Sequence, residues 1–342
     1  MKFVDMFAGI GGFHLATSGL PFELEAAGVI EIDKDCRRVY GEYFHVTDDM
    51  FVDDVKHVRT EKRANSGTLT LQPFDILFAG FPCQAFSNVG LRQGMQDERG
   101  QLFYRILDTL SYYKPKFFVL ENVQKLSTIG RGALLKEVVD ALERVDYHVH
   151  VWDLSAHRYG LPQQRRRLFF CGVSKSIARK PLLLQPPPEV NLKASKYPTV
   201  WHLLEKRMPK EHLVPEGTKK VVLRKNLKWQ GDLVVNRPVA RPLTATMSKW
   251  HRANQDNYFT SSHVLADKPG ARSPLPPEEV GDEPLRRITP LEGFRLQGFP
   301  DRYDEVCDRL NLSLSTRYRI IGNAVPVDLV RSVLKHFVPA YL

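Results

Sequence analysis

Nowhere does the sequence hold an apolar run approaching the roughly 18 residues a helix needs to cross a bilayer. Its start, MKFVDMFAGIGG, lacks the apolar core and small-residue cleavage site of a secretory signal and is expected to run straight into the fold. Cysteine is scarce: Cys36, Cys83, Cys171 and Cys307 lie far apart, with no Cys-x-x-Cys pair. That spacing argues against a disulfide framework and a zinc site, and predicts a reducing, cytoplasmic setting with no metal. Internal repeats and low-complexity tails are missing too. A composition of 43% hydrophobic and 26% charged residues is that of a globular protein, and 342 residues suffice for one large core with a smaller lobe.

Acidic residues are short in one segment only. Residues 175–252 hold 17 Lys or Arg against 5 Asp or Glu, while the rest of the chain holds 32 against 34. A merely solvated basic face would scatter its excess, so this concentration points to a polyanionic partner.

Up to about residue 174, short apolar strands alternate with helical stretches. KFVDMFA, AAGVIEID, FDILFAG, FFVLENV, YHVHVWDL and RRLFFCGV read as strands. Residues 34–44, LFYRILDTLSYY and ALLKEVVDALERV read as helices, and GFHLATSGL as a helix start. Strand–helix–strand at this spacing predicts a doubly wound, mostly parallel α/β sheet. PLLLQPPP (181–188) is a proline-rich connector that suits neither a helix nor a central strand. Beyond it, KKVVLRKNL and GDLVVN predict a small, irregular, β-leaning lobe. Helical patterning returns at VDLVRSVLKHFV, which is expected to pack back on the first lobe. The predicted division is 1–174, then 175–285 for the small lobe, then a return segment 286–342.

The first strand–helix junction, FAGIGG, has two well-placed glycines but lacks a third. Gly9 and Gly11 permit a tight turn and close backbone approach of a ligand at a helix start. His14 stands where a dinucleotide fingerprint has its last glycine, which weakens that reading. Glu31, ending the second strand, could accept hydrogen bonds from ribose hydroxyls, and Asp54 from an adenine amino group, with an acidic surface loop equally open for Asp54. Phe7 offers a face to an adenine or a sulfonium. A nucleoside-bearing cofactor is predicted.

The strand FDILFAG ends in Phe81-Pro82, with Cys83 at its tip and the polar stretch QAFSNVGLRQGMQDERG beyond. A lone cysteine is usually core filler, whereas a reactive one sits half-exposed where its thiolate can be stabilised. GFPCQAFS (80–87), ENV (121–123), QQRRR (163–167) and IGNAVP (321–326), with DMFAGIGG at the start, tip the balance. In this order and spacing the chain resembles the cytosine carbon-5 DNA methyltransferases from residue 3 to about 335, apart from the basic segment. The resemblance implies a Rossmann-like catalytic domain using S-adenosylmethionine, releasing S-adenosylhomocysteine and needing no metal.

It also implies roles, and the chemistry explains them. Carbon 5 of cytosine is too electron-poor to attack a methyl sulfonium until a nucleophile adds at carbon 6; Cys83 would be that nucleophile. Glu121 would donate a proton to ring N3, Arg167 would contact O2, and Arg165 would steady the pocket near the nucleophile. Phe7, Gly9, Gly11, Glu31, Ile32, Asp54, Pro82, Leu102, Asn323 and Val325 would form the cofactor site; Ile32 stands where the family often has an aromatic residue. The glycine-bearing loop after Cys83 would close as a lid, with Gln84 and Ser87 near the DNA. RPLTATM (241–247) resembles the motif that braces the small lobe.

In this family the segment before RPLTATM selects the target; here Lys219, Lys220, Arg224, Lys225 and Lys228 would mostly meet phosphates of double-stranded DNA. A monomer acting in the prokaryotic cytoplasm at the nucleoid, with a cognate restriction endonuclease as its functional partner, is the implied setting. A transfer-RNA cytosine-5 methyltransferase on the same catalytic frame is the alternative, though its Cys-Phe-Thr signature is missing from this sequence. A nicotinamide dehydrogenase would leave Pro-Cys, ENV and QQRRR unexplained, and a non-catalytic DNA-binding scaffold would leave Cys83, Glu121 and Arg167 without purpose.

Overall fold

The computed structural model describes residues 1–60, 68–81, 101–224, 232–270 and 273–342. Cys83, Pro82, Gln84, Ser87, the expected lid, Lys225 and Lys228 therefore lie outside the described residues. The chain divides into two compact units. The first comprises Met1–Leu154, Arg166–Pro188 and Val330–Leu342, and the second Ser155–Arg165 and Glu189–Leu329. These boundaries differ from those read in the sequence, because residues 286–329 go with the second unit.

The first unit is built on a seven-stranded sheet. Its strands are β1 (Lys2–Met6), β2 (Glu25–Ile30), β3 (Phe51–Val52), β4 (Ile76–Gly80), β5 (Phe117–Val123), β6 (Tyr147–Ser155) and β7 (Arg166–Ser174), in the order β3-β2-β1-β4-β5-β7-β6. Pairs from β3 to β5 are parallel, as the strand–helix alternation predicts. The pairing of β5 with β7 is antiparallel, a departure from the simple alternation. Segment 155–165 joins β6 to β7 without a crossover helix, so β7 enters the sheet from the opposite end.

Helices α1 (Gly12–Thr17), α2 (Lys34–Phe44), α3 (Gln101–Tyr113) and α4 (Ala133–Arg144) accompany the strands. In α4, Leu134, Val138, Ala141 and Leu142 recur at helical spacing and are the residues it buries. At the start of α2, Asp33 accepts the Asp35 and Cys36 backbone N–H groups, a cap that stops the β2 loop from continuing extended. β5 buries six of its seven residues, as a central strand covered on both faces should. Phe337 stacks edge-on against Phe117, its ring 5.9 Å away, tying the last residues of the chain to this unit.

The second unit contains a two-stranded antiparallel sheet, β8 (Tyr258–Thr260) with β9 (Leu285–Arg287), and short helices. Helix α5 (Glu216–Val222) takes in KKVV, the start of the run read above as β-like. Pro215 precedes it, and Lys219 and Val222, one turn apart, are its buried residues; packing at helical spacing overrides the β preference of the valines. In GDLVVN, Val235 makes a single bridge to Leu275. Val214, Val222, Val235, Ala253, Tyr258, Leu275, Val280 and Leu285 form the apolar core here. Among the described residues this unit is thus mostly short helices and turns, with little strand. The remaining helices are α6 (Ser261–Leu265), α7 (Pro290–Leu296), α8 (Arg302–Arg309), α9 (Leu314–Asn323) and α10 (Val327–Phe337). No described helix is long and apolar enough to cross a membrane.

Candidate active site

Strands β4 and β5 end side by side, with Gly80 opposite Glu121. The carboxyl edge of a parallel sheet is where ligands bind in such folds, and Cys83 follows Gly80 by three positions in the chain. Glu121 Oε1 lies 2.6 Å from Arg167 Nε, with both side chains close to nine-tenths buried. The antiparallel register creates this pair. Val123 faces Arg167 and Glu121 faces Phe169, so Glu121 and Arg167 are diagonal neighbours on one face, within reach of a long side chain. A second nitrogen of Arg167, Nη1, donates to the Arg166 carbonyl at 2.8 Å and steadies the guanidinium.

Arg165 is anchored on backbone carbonyls. It is 2% exposed, and its guanidinium donates to the carbonyls of Leu243 (2.9 Å), Gly322 (3.1 Å) and Ala324 (2.9 Å). Gln163 and Gln297 join this knot: Gln163 donates to the Leu296 carbonyl and accepts the Leu243 N–H, while Gln297 donates to the carbonyls of Ile321 and Ala324. Gly322 is obligatory here, since a Cβ on it would fall 2.2 Å from the Thr244 carbonyl carbon. Arg165 thus acts as a brace between QQRRR, RPLTATM and IGNAVP. Asn323 is the exposed last residue of α9, and Val325 is buried just beyond it.

At the other sheet position, the glycine turn and Glu31 meet. Gly9 and Gly11 have φ of 55° and 84°, and Phe7 shares the left-handed region at 57°. A Cβ on Gly11 would strike Phe44 and Tyr40, whereas the space around Gly9 is open to 4 Å. Glu31 accepts the Gly9 N–H on Oε2 and the Asp33 N–H on Oε1, both at 2.7 Å. Its pKa is raised, chiefly by burial, against the pull of those two N–H groups. Each oxygen keeps a further lone pair that can accept from a hydroxyl. Ile32 is 73% exposed beside it. Asp54 caps a short turn by accepting the Lys56 N–H at 2.9 Å, and Leu102 packs against the main core.

Two residues escaped the sequence reading. Asp5, in β1, is fully buried, and neither of its oxygens has a hydrogen-bond partner among the described residues. Burial, then repulsion from Glu31, raises its pKa well above the ordinary value, with the nearby His14 backbone N–H opposing weakly. Asn122, inside ENV, is buried between β5 and the end of β4. Nothing in composition or periodicity marks either; only strand register does.

The basic segment gives a mixed result. Lys219 is 6% exposed and donates to the Glu283 carbonyl at 2.8 Å, so it is a buried anchor and unavailable to a phosphate. Lys220 and Arg224 are exposed.

Residues 1–338 match the model of the C-5 cytosine-specific DNA methylases. The Type II methyltransferase M.DsaV of Dactylococcopsis salina is 34% identical over 342 residues, covering 97% of this chain and 84% of its own. M.HpaII of Haemophilus parainfluenzae, also a Type II methyltransferase, is 29% identical, covering 97% and 88%. Among solved structures, the Entamoeba histolytica methyltransferase EhMeth superposes with a TM-score of 0.74 at 16% identity, covering 99% of this chain and 98% of that one. The S. pombe Dnmt2 methyltransferase gives 0.70 at 17%, covering 99% of both chains. The chain therefore belongs to the C-5 cytosine-specific DNA methylases, enzymes that methylate DNA.

Proposed function

We propose that the protein methylates carbon 5 of a cytosine in a short, specific duplex sequence, through a covalent bond between Cys83 and carbon 6 of a base turned out of the helix. The observation that carries this reading is the Glu121–Arg167 pair, held at the sheet edge beside the strand that leads to Pro82-Cys83. Cys83 adds its sulfur to carbon 6, and the ring becomes electron-rich at carbon 5. Glu121 shares a proton with N3 as negative charge grows there. Arg167, already aligned on the carboxylate, stabilises that charge and reaches O2. Turning the base out costs a few kcal/mol, offset by contacts in the pocket.

S-adenosylmethionine, when bound, supplies an electrophilic methyl group on its sulfonium. The residues present fit it: Glu31 is anchored by two backbone N–H groups with lone pairs to spare, and the open space at Gly9 admits a ligand against the backbone. Glu31 would orient the ribose, with Phe7 and Ile32 beside the adenine. Lys220 and Arg224 would meet phosphates of duplex DNA. The protein would work as a monomer; the Type II designation of its relatives supports a role in protecting DNA from a cognate endonuclease.

The test is intact mass after mixing protein, S-adenosylmethionine and a random duplex pool containing 5-fluorocytosine. Fluorine cannot leave as the carbon-5 proton does, so a trapped adduct of protein, DNA and methyl is expected, and none with Cys83→Ala. No adduct from the parent protein would refute the mechanism, and an adduct with transfer RNA alone would refute the substrate.

A further inference from the structure

The parallel ladder between β4 and β5 has a defect at its last rung. The Phe117 N–H donates to the Asp75 carbonyl at 2.9 Å. The two-residue period of a parallel ladder carries this pattern forward, and brings the Val123 N–H next to the Phe81 carbonyl. That bond is not made directly. The Val123 N–H donates instead to Asn122 Oδ1 at 2.8 Å, and Asn122 Nδ2 donates to the Phe81 carbonyl at 3.0 Å. A side-chain amide is interposed in the rung. Both backbone groups stay satisfied, each through the Asn122 amide and not through the other. Asn122 is 1% exposed, so neither bond competes with water.

We infer that Asn122 is a positioning residue, a spacer that splays the ends of β4 and β5 and so sets the separation between Glu121 and the chain leading to Cys83. This rests on the proposed roles of Cys83 and Glu121. The geometry explains the residue type. The spacer needs one acceptor and one donor on a side chain too short to loop out, which is asparagine. Aspartate has the shape but would present a carboxylate to the Phe81 carbonyl. Glutamine adds a methylene and would move the amide away from the rung it bridges. Alanine removes the spacer, and the Val123 N–H can then pair directly with Phe81, so the strands close without leaving an orphaned group.

A residue required only for folding would behave differently from a spacer, and this yields the test. Asn122→Ala is expected to keep a melting midpoint close to that of the parent, because the ladder heals. Its KM for DNA and for S-adenosylmethionine should stay near parental values while kcat falls on the order of 100-fold, the typical effect of displacing a reacting group by about 1 Å. Asn122→Asp should also lose kcat. Methyl transfer from tritiated S-adenosylmethionine to unmethylated genomic DNA gives the kinetics, and 5-fluorocytosine trapping runs alongside on the parent, Cys83→Ala and Asn122→Ala. A parent that traps no adduct refutes the catalytic reading itself. A parent that traps, with Asn122→Ala turning over at the parental kcat, overturns the spacer. So does a kcat loss matched by a fallen melting midpoint or by a rise in KM.

Discussion

The buried pair Arg286–Glu292 is the heaviest electrostatic commitment in the second unit, and it sets a stability test. Both side chains are fully buried and joined twice, Nη1 to Oε2 at 2.8 Å and Nη2 to Oε1 at 2.6 Å. The same carboxylate accepts the N–H groups of Glu205 and Thr289, each at 2.8 Å, and completes a capping box at the start of α7. Glu292→Gln keeps the shape and one acceptor but leaves the guanidinium charge uncompensated. Breaking such a pair from one side costs about 3–5 kcal/mol. At about 2–4 °C per kcal/mol for a domain of this size, the melting midpoint should drop on the order of 10 °C. Arg286→Met alone should cost about as much, by stranding the carboxylate. The double variant Arg286→Met/Glu292→Gln carries no buried charge, and its amide oxygen can still serve one of the two N–H groups. It should regain most of the loss, giving a coupling energy of about 2 kcal/mol or more in a double-mutant cycle followed by calorimetry. Additive single-variant losses, or a Glu292→Gln midpoint unchanged from the parent, would refute the reasoning.

Other outcomes follow from the same structure. Asp256 is buried, and its pKa is pushed up to about 7 mainly by burial, although Arg241 and Arg287 oppose this. The folded state keeps a proton that the unfolded chain releases above about pH 4, so stability should fall as pH rises from about 4 to 7, by about 4 kcal/mol in all. Asp256→Asn should remove that slope; urea titrations at several pH values that show the same slope in both proteins would contradict it. Glu31→Ala removes the anchored carboxylate beside Gly9, and S-adenosylhomocysteine should bind on the order of 100-fold more weakly by calorimetry; parental affinity would mean that the ribose is held elsewhere. Lys220→Ala should lower the salt-dependence slope of DNA binding by about one, whereas Lys219→Met should leave it alone, because Lys219 is committed to the Glu283 carbonyl. Equal slopes for the two variants would count against phosphate contact at Lys220.

Much of the first unit was legible because its elements are long and strongly patterned. The stretch 34–44 and FFVLENV form a helix and a strand over the residues their patterns mark. The sense of β7 was not legible, because a strand buried on both faces reads the same in either direction and the turn at 155–165 carries no helix period. KKVV was misread for a related reason: valine prefers strands, but the position of Lys219 and Val222 against a core is decided by packing that the local sequence does not contain. Glu121 and Arg167 stood out by motif, yet their contact depends on the β5–β7 register. Asn122 was hidden in plain view, since a ladder defect exists only between two strands.

The three consecutive arginines 165–167 meet three different partners. Arg165 grips carbonyls of the second unit, Arg166 pairs with Asp153 at 2.5 Å, and Arg167 meets Glu121. Spelled alike, they are told apart by place: Arg165 lies just before β7, and Arg166 and Arg167, inside it, turn to opposite faces. Any one of them could be exchanged for lysine and still stand in its own place. Losing a single residue between Arg167 and Ser174 would leave the triplet spelled the same, yet slide it by one step and hand each arginine its neighbour's address. In this stretch, length is held to a stricter standard than identity.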